Sequence, residues 1–147
     1  MKTIIFVCHG NICRSPAAEW IAKKILQERG REKEFKILSR ALSYEEINND
    51  IYPPMKQTLE DFHVPFKRHY ADILSKEDYE KADYIFYMDS SNKRIISYRY
   101  PMANDKFHHI NEFTPQMGDI EDPWYSGRYT LVVQQLIVCI NNIFDKM

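Results

Sequence analysis

Apolar and polar positions along this chain fall into blocks whose period changes from strand-like to helical and back. Near the start, Ile4-Ile5-Phe6-Val7 is β-branched or aromatic and apolar on both faces. Such a run predicts a central strand of a parallel sheet, covered by helices on either side. From Ser15-Pro16 the period lengthens. Ala18, Ile21, Ala22, Ile25 and Leu26 recur at helical spacing, Lys23, Lys24 and Gln27 lie opposite, and Gly30 supplies a stop. Pro16 suits the first turn of that helix, where an N–H has no intrahelical partner, and Ser15 is a candidate cap. Phe35 to Arg40 predicts a second strand. A strand–helix–strand unit of this length closes as a right-handed crossover with parallel strands.

Leu42 to Pro54 is polar and broken and predicts a loop returning over the carboxyl edge of the sheet. Met55 to His63 predicts a helix with Met55, Leu59 and Phe62 on one face, and His63 to Leu74 is mostly loop. Ser75-Lys76-Glu77-Asp78 has the character of a capping box. Asp83 to Asp89 predicts a third strand, Ser90 or Ser91 the cap of a helix to about Tyr98, and His108 to Phe113 a fourth strand. Thr114 to Gly127 is expected to be a long loop. A long helix follows, with Tyr129, Val132, Val133, Leu136, Ile140, Ile143 and Phe144 on one stripe and Cys139 in the core. The alternation implies an open, doubly wound α/β sandwich with strand order 2-1-3-4. Ligands of such sheets bind outside the carboxyl ends of the strands where the order reverses. Cys8 directly follows the first strand, at that point.

The 147 residues contain no low-complexity run or linker, so residues 1–147 are expected to form a single domain. A net charge of −1 gives no global field to recruit nucleic acid or an anionic membrane. The first apolar run is too short for a signal peptide and lacks a small-residue cleavage site. Nothing in the sequence approaches a membrane span. Three cysteines, an odd number without framework spacing, fit a reducing compartment and hence a cytoplasmic location.

The chemistry concentrates in Val7-Cys8-His9-Gly10-Asn11-Ile12-Cys13-Arg14-Ser15-Pro16. Cys8 and Arg14 bracket five residues, enough chain to curl once around a tetrahedral oxyanion with N–H groups pointing inward. Gly10 permits positive φ and close backbone approach. Asn11 tolerates a left-handed conformation better than other non-glycine residues. Arg14 offers a planar fork to two phosphate oxygens, and the helix beginning near Pro16 adds a positive dipole end. Negative charge on Cys8 would be stabilised in that setting, with Ser15 as a further donor to it. Far along the chain, Asp122-Pro123 taken alone would only start a turn. His108 and His109 are adjacent on a predicted strand and point to opposite faces, which argues against a metal site there.

The segment from Val7 to Pro16 resembles the signature of the low-molecular-weight protein tyrosine phosphatases, and Asp122-Pro123 resembles their second signature, an Asp-Pro followed by aromatics. The resemblance spans the chain. It implies a flavodoxin-like three-layer sandwich with a four-stranded parallel sheet and helices on both faces. It implies that Cys8 attacks the phosphorus of phosphotyrosine, that Arg14 and the loop His9 to Cys13 with Ser15 hold the phosphoryl oxygens, and that Asp122 acts as general acid and then base. Trp124 and Tyr125, with Tyr44 on the other wall, would sandwich the substrate ring. Ser39 and His69 would hold Asn11 in its strained conformation, and Asp89 would support the loop or cap the next helix. The implied substrate is a phosphotyrosine protein, a tyrosine kinase being one candidate. Inorganic phosphate is the product, no cofactor is needed, and the enzyme would be a monomer or weak dimer.

Departures from the pattern sharpen this picture. Glu45-Glu46-Ile47-Asn48-Asn49-Asp50 replaces the His-x-Gly segment of many relatives, and two glutamates at the rim would disfavour strongly acidic peptides. Asp72 stands where relatives often carry arginine. Cys13 lies close enough to Cys8 in the chain to form a reversible disulfide with it. Arsenate reductases share the first motif but need downstream relay cysteines, and Tyr84 to Asp105 has none. Protein arginine phosphatases carry a small threonine where this chain has Ile12. A non-enzymatic phosphate-binding module would not need Cys8, Arg14 and Asp122 together.

Overall fold

Four parallel strands pair in the order β2-β1-β3-β4, the order expected from the alternation of elements. The computed structural model describes residues 1–101 and 105–147. The strands are β1 (Lys2–Cys8), β2 (Phe35–Ala41), β3 (Tyr84–Tyr87) and β4 (Phe107–His109). The helices are α1 (Arg14–Glu28), α2 (Pro53–Asp61), α3 (Lys76–Lys81), α4 (Ser90–Arg99), α5 (Pro123–Ser126) and α6 (Tyr129–Lys146).

Strand β1 is central, and its side chains divide between two cores because successive residues face opposite ways. Ile4, Phe6 and Cys8 join the larger core with α1, α2 and α6. Ile5 and Val7 join the smaller one, which includes Ala82 at the end of α3 and Ile96 of α4. Register sets Ile4 beside Ile37 and Tyr84, and Phe6 beside Ser39 and Phe86. Cys8 pairs with Ala41, so the carboxyl ends of β1 and β2 finish level. Ala17, Ala18 and Ala22 are fully buried on α1. Their small side chains leave room for α1 to lie close on the sheet. Phe6 and Phe86 stack at 5.9 Å between centroids. Truncating either to alanine would cost about 3–5 kcal/mol.

Local signals end and begin the helices much as expected. Gly30 (φ +69°) closes α1: its N–H bonds the Gln27 carbonyl and the Arg31 N–H bonds that of Leu26, a Schellman arrangement. Ser75 and Asp78 form the reciprocal capping box of α3. Several boundaries differ, and β3 covers only Tyr84–Tyr87 of the expected Asp83 to Asp89. Helix α1 begins at Arg14, and Ser15 lies inside its first turn and does not cap it. Helix α2 begins at Pro53, because two prolines in a first turn lose no intrahelical bond. The cap of α4 is Asp89, not Ser90 or Ser91. Strand β4 stops at His109, where the Ile110 N–H still bonds Tyr87 but the chain then turns. The expected loop of 114–127 contains a 3₁₀ turn, Pro115–Met117, and the short helix α5.

Candidate active site

The loop from Cys8 to Arg14 leaves the carboxyl end of β1 and enters α1, with the neighbouring strand ends on both sides. Its left-handed residue is Asn11 (φ +61°), while Gly10 does not have positive φ. Glycine at position 10 serves close approach instead: a Cβ there would lie 3.3 Å from Cγ of Glu46.

Asn11, in its left-handed conformation, is bonded through its side-chain amide and its carbonyl. Its Nδ2 donates to Ser15 Oγ (2.7 Å) and Ser39 Oγ (3.1 Å), and its Oδ1 accepts from the Asp72 N–H (3.2 Å). His69 Nε2 lies 2.7 Å from the Asn11 carbonyl oxygen, so that nitrogen carries the proton. Ser39 passes the chain on, donating to Glu19 Oε1 at 2.7 Å. Ser39 and His69 are thus both in hydrogen-bond contact with Asn11. Burial pulls the His69 imidazole below its ordinary pKa, against the Asn11 carbonyl and the charges of Glu19 and Asp50.

Cys8 Sγ lies 3.0 Å from Ser15 Oγ and 3.4 Å from the Ser15 N–H. Because Asn11 donates into that same Oγ, the Ser15 O–H is left to donate, to the Cys8 sulfur at 3.0 Å or to the more distant Arg40 carbonyl at 3.5 Å. Cys13 is a different thiol. Burial, then the neighbouring charges of Cys8 and Asp122, push its pKa far up, so it stays protonated. All three cysteines are free.

Arg14 is only 2% exposed. Its Nη1 donates to Asp89 Oδ2 (2.6 Å) and to the Ile120 carbonyl (2.8 Å), and its Nη2 lies 3.6 Å from Asp122 Oδ2. Burial opposes its charge, but Cys8, Asp89 and Asp122 outweigh that and raise its pKa. Asp89 does two jobs at once, since Oδ1 also accepts the Asn92 N–H at 2.8 Å and caps α4.

Asp122 caps α5, taking the Trp124 N–H on Oδ1 at 3.0 Å. That leaves Oδ2 toward Arg14. Asp122, Trp124 and Tyr125 line the same cleft as Cys8, His9, Gly10, Ile12, Cys13 and Arg14. Trp124 and Tyr125 are 52% and 86% exposed, so they form an open rim. Tyr44 corrects the expectation: it is 68% exposed and does not line the cleft, whereas Glu45 and Glu46 do. Just before these residues, the Ser43 N–H and hydroxyl both bond the His9 carbonyl at 3.1 Å, which holds the start of this segment against the loop.

Several contributors carried no signal in the sequence. Tyr52 backs Trp124 at 4.8 Å between ring centroids, and its N–H bonds the Ile12 carbonyl at 2.9 Å. The Ile120 carbonyl and Asp72 N–H are backbone groups, whose targets no side-chain pattern reveals. Glu19 reads from sequence only as the polar face of α1.

Fold and site together define a doubly wound α/β protein with a Cys-x5-Arg loop at the reversal of its strand order. The sequence profile of the family described as "Low molecular weight phosphotyrosine protein phosphatase" matches residues 3–146. The low molecular weight phosphotyrosine protein phosphatase of Gallus gallus is 34% identical over 154 residues, covering 99% of this chain and 96% of its own. Among solved structures, the low molecular weight protein tyrosine phosphatase of Streptococcus pyogenes superposes with a TM-score of 0.90 at 28% identity, covering 100% of this chain and 93% of that one. The arginine phosphatase of Geobacillus stearothermophilus superposes at 0.85 with 26% identity, covering 99% and 92%. This chain belongs to the low molecular weight phosphotyrosine protein phosphatase family.

Proposed function

We propose that the whole chain is one catalytic domain that hydrolyses phosphotyrosine in proteins through a phosphocysteine on Cys8. The observation that carries this is the convergence of Cys8, Arg14 and Asp122 on one cleft rimmed by Trp124 and Tyr125. In the first step the Cys8 thiolate attacks phosphorus. The S–P bond forms, the P–O bond to the ring breaks, and Asp122 gives its proton to the departing phenolate oxygen. In the second, Asp122 takes a proton from water as that water attacks phosphorus. The S–P bond breaks and inorganic phosphate leaves. The Ser15 hydroxyl supports the thiolate as leaving group. Arg14 and the loop N–H groups stabilise charge on the equatorial oxygens, an arrangement already built before substrate arrives.

The likeness to an arginine phosphatase raises a second reading. Ile12 on the cleft wall stands against it, since a bulky apolar side chain disfavours a polar guanidinium there. No helix among the described residues is long and apolar enough to cross a membrane, and three free cysteines favour a reducing, cytoplasmic setting. The test is turnover of an aryl phosphate, a phosphotyrosine peptide, phosphoarginine and arsenate by wild type and Cys8→Ser. The expected result is hydrolysis of the first two by wild type and none by the variant. Faster turnover of phosphoarginine than of the phosphotyrosine peptide would replace this reading with the second.

A further inference from the structure

The charges around the cleft are unbalanced for a site that takes an anion, and on the phosphatase reading this bears on which substrates enter. Arg14 already faces two carboxylates, Asp89 at 2.6 Å and Asp122 at 3.6 Å. Beside His9 and Gly10, Glu45 and Glu46 add two more to the wall. Their partners are weak or neutral: His9 Nε2 stands 3.2 Å from Glu45 and Asn49 Nδ2 donates to Glu46 at 2.6 Å. Basic side chains from the surrounding segments are engaged elsewhere, Arg128 with Glu121, and Lys56 and Arg68 with Asp50. Among the described residues, no lysine or arginine pairs with Glu45 or Glu46.

The placement of these carboxylates is built in. The stem of Glu46 lies against Gly10, in space that a side chain at position 10 would crowd. The loop carrying both glutamates is clipped to the segment before α3: the Asn48 N–H bonds the Ala71 carbonyl (2.7 Å) and the Ala71 N–H bonds the Asn49 carbonyl (2.9 Å). The phosphate meets the loop N–H groups and Arg14, so the rim carboxylates face whatever flanks the phosphotyrosine.

We propose that Glu45 and Glu46 are specificity residues that select phosphotyrosines flanked by lysine or arginine and turn away acidic flanks. A partly exposed ion pair changes affinity by about 2- to 5-fold, and a like-charge contact acts in the opposite sense. Two otherwise identical phosphotyrosine peptides, one with lysines and one with glutamates beside the phosphotyrosine, should therefore differ about tenfold in kcat/KM at low salt, mostly through KM. The ratio should shrink toward one near about 0.5 M salt, where the screening length is only a few ångströms.

The experiment measures both peptides and an aryl phosphate with wild type, Glu45→Gln/Glu46→Gln and Glu45→Lys/Glu46→Lys. The ratio between peptides is internal to each protein, so a change in overall rate does not affect it. The expected result is a lysine preference in wild type, little preference in the glutamine pair and reversal in the lysine pair. A wild-type ratio near one, or an unchanged ratio in both double variants, overturns the proposal while aryl phosphate turnover leaves the phosphatase reading standing. Absence of aryl phosphate turnover by wild type overturns both.

Discussion

The carboxylate of Asp89 binds Arg14 with one oxygen and the first turn of α4 with the other, at 2.6 and 2.8 Å. Position of the guanidinium and stability of the helix thus depend on one side chain. Asp89→Ala should destabilise the protein by about 2–3 kcal/mol, from loss of the cap and of a largely buried charge partner. Asp89→Ser restores the cap and should recover about 1 kcal/mol of it, but not the catalytic loss. With Arg14 held only by the Ile120 carbonyl and Asp122, kcat/KM on an aryl phosphate should fall about ten- to a hundredfold in both variants. Urea unfolding and steady-state kinetics on the pair separate the two roles.

Asn11 combines a left-handed backbone with bonds from its side-chain amide and carbonyl. Asn11→Ala should cost about 2–4 kcal/mol, since alanine disfavours φ near +60° and the buried partners lose their bonds. Asn11→Gly accepts the same φ without strain, so its smaller loss isolates the side-chain bonds to Ser15, Ser39 and Asp72. An Asn11→Gly variant as stable as wild type would show that the network contributes nothing beyond permitting the conformation, whereas equal losses in the two variants would show that the positive φ costs alanine nothing.

His69 makes stability depend on pH in a defined direction. Burial holds its folded pKa below the ordinary value of 6.5, so below 6.5 the unfolded chain binds more protons than the folded one. Stability from this group is fully present above 6.5 and is lost as pH falls through the folded pKa. Urea unfolding at about pH 7.5 and 5.5 should show the loss. His69→Gln, which does not titrate, should be less stable at the higher pH and flatter between the two.

The proposed proton donation by Asp122 predicts a leaving-group signature. Asp122→Asn should lower kcat/KM, which reports the step that expels the phenol, about a hundredfold or more on poorly acidic phenols, and much less on good leaving groups that need no proton. Equal losses on both would sink the general-acid assignment.

The segment before Asp122 is tied to the sheet by Asp119. One oxygen accepts from the Ser90 N–H and hydroxyl (3.1 and 2.9 Å), and the other accepts from His109 Nε2 (2.8 Å). His109 Nδ1 takes the Asn111 N–H at 3.0 Å, which fixes the proton on Nε2. Asp119→Ala should therefore reproduce, more weakly, the leaving-group dependence of Asp122→Asn. A uniform loss across leaving groups would mean that Asp119 only stabilises the fold.

Patterns local in the chain are legible in the amino-acid sequence alone. The doubly apolar β1, the helical stripe of α6, the Schellman stop at Gly30 and the box at Ser75 each follow from the period and chemistry of a few adjacent residues. The cradle from Cys8 to Arg14 is legible for the same reason, since spacing and residue type are both local. Asp122, Ser39 and His69 came from resemblance to a family, and the fold brings each of them to the cradle.

What required the folded chain lies between segments far apart in sequence. Which loop residue takes the left-handed turn was decided by four partners of Asn11 drawn from α1, β2 and the segment before α3. These partners favoured it over the more permissive Gly10. The approach of Glu46 gave Gly10 its own reason to lack a side chain. Tyr44 is exposed away from the cleft while Glu45 and Glu46 line it, a placement no periodicity encodes. Asp89 looked like either a cap or a support and is both, because a carboxylate has two oxygens and the fold aims each at a different partner. Local propensity set the elements and the chemistry available. Long-range packing set which side chains meet, and so the charge and shape of the cleft.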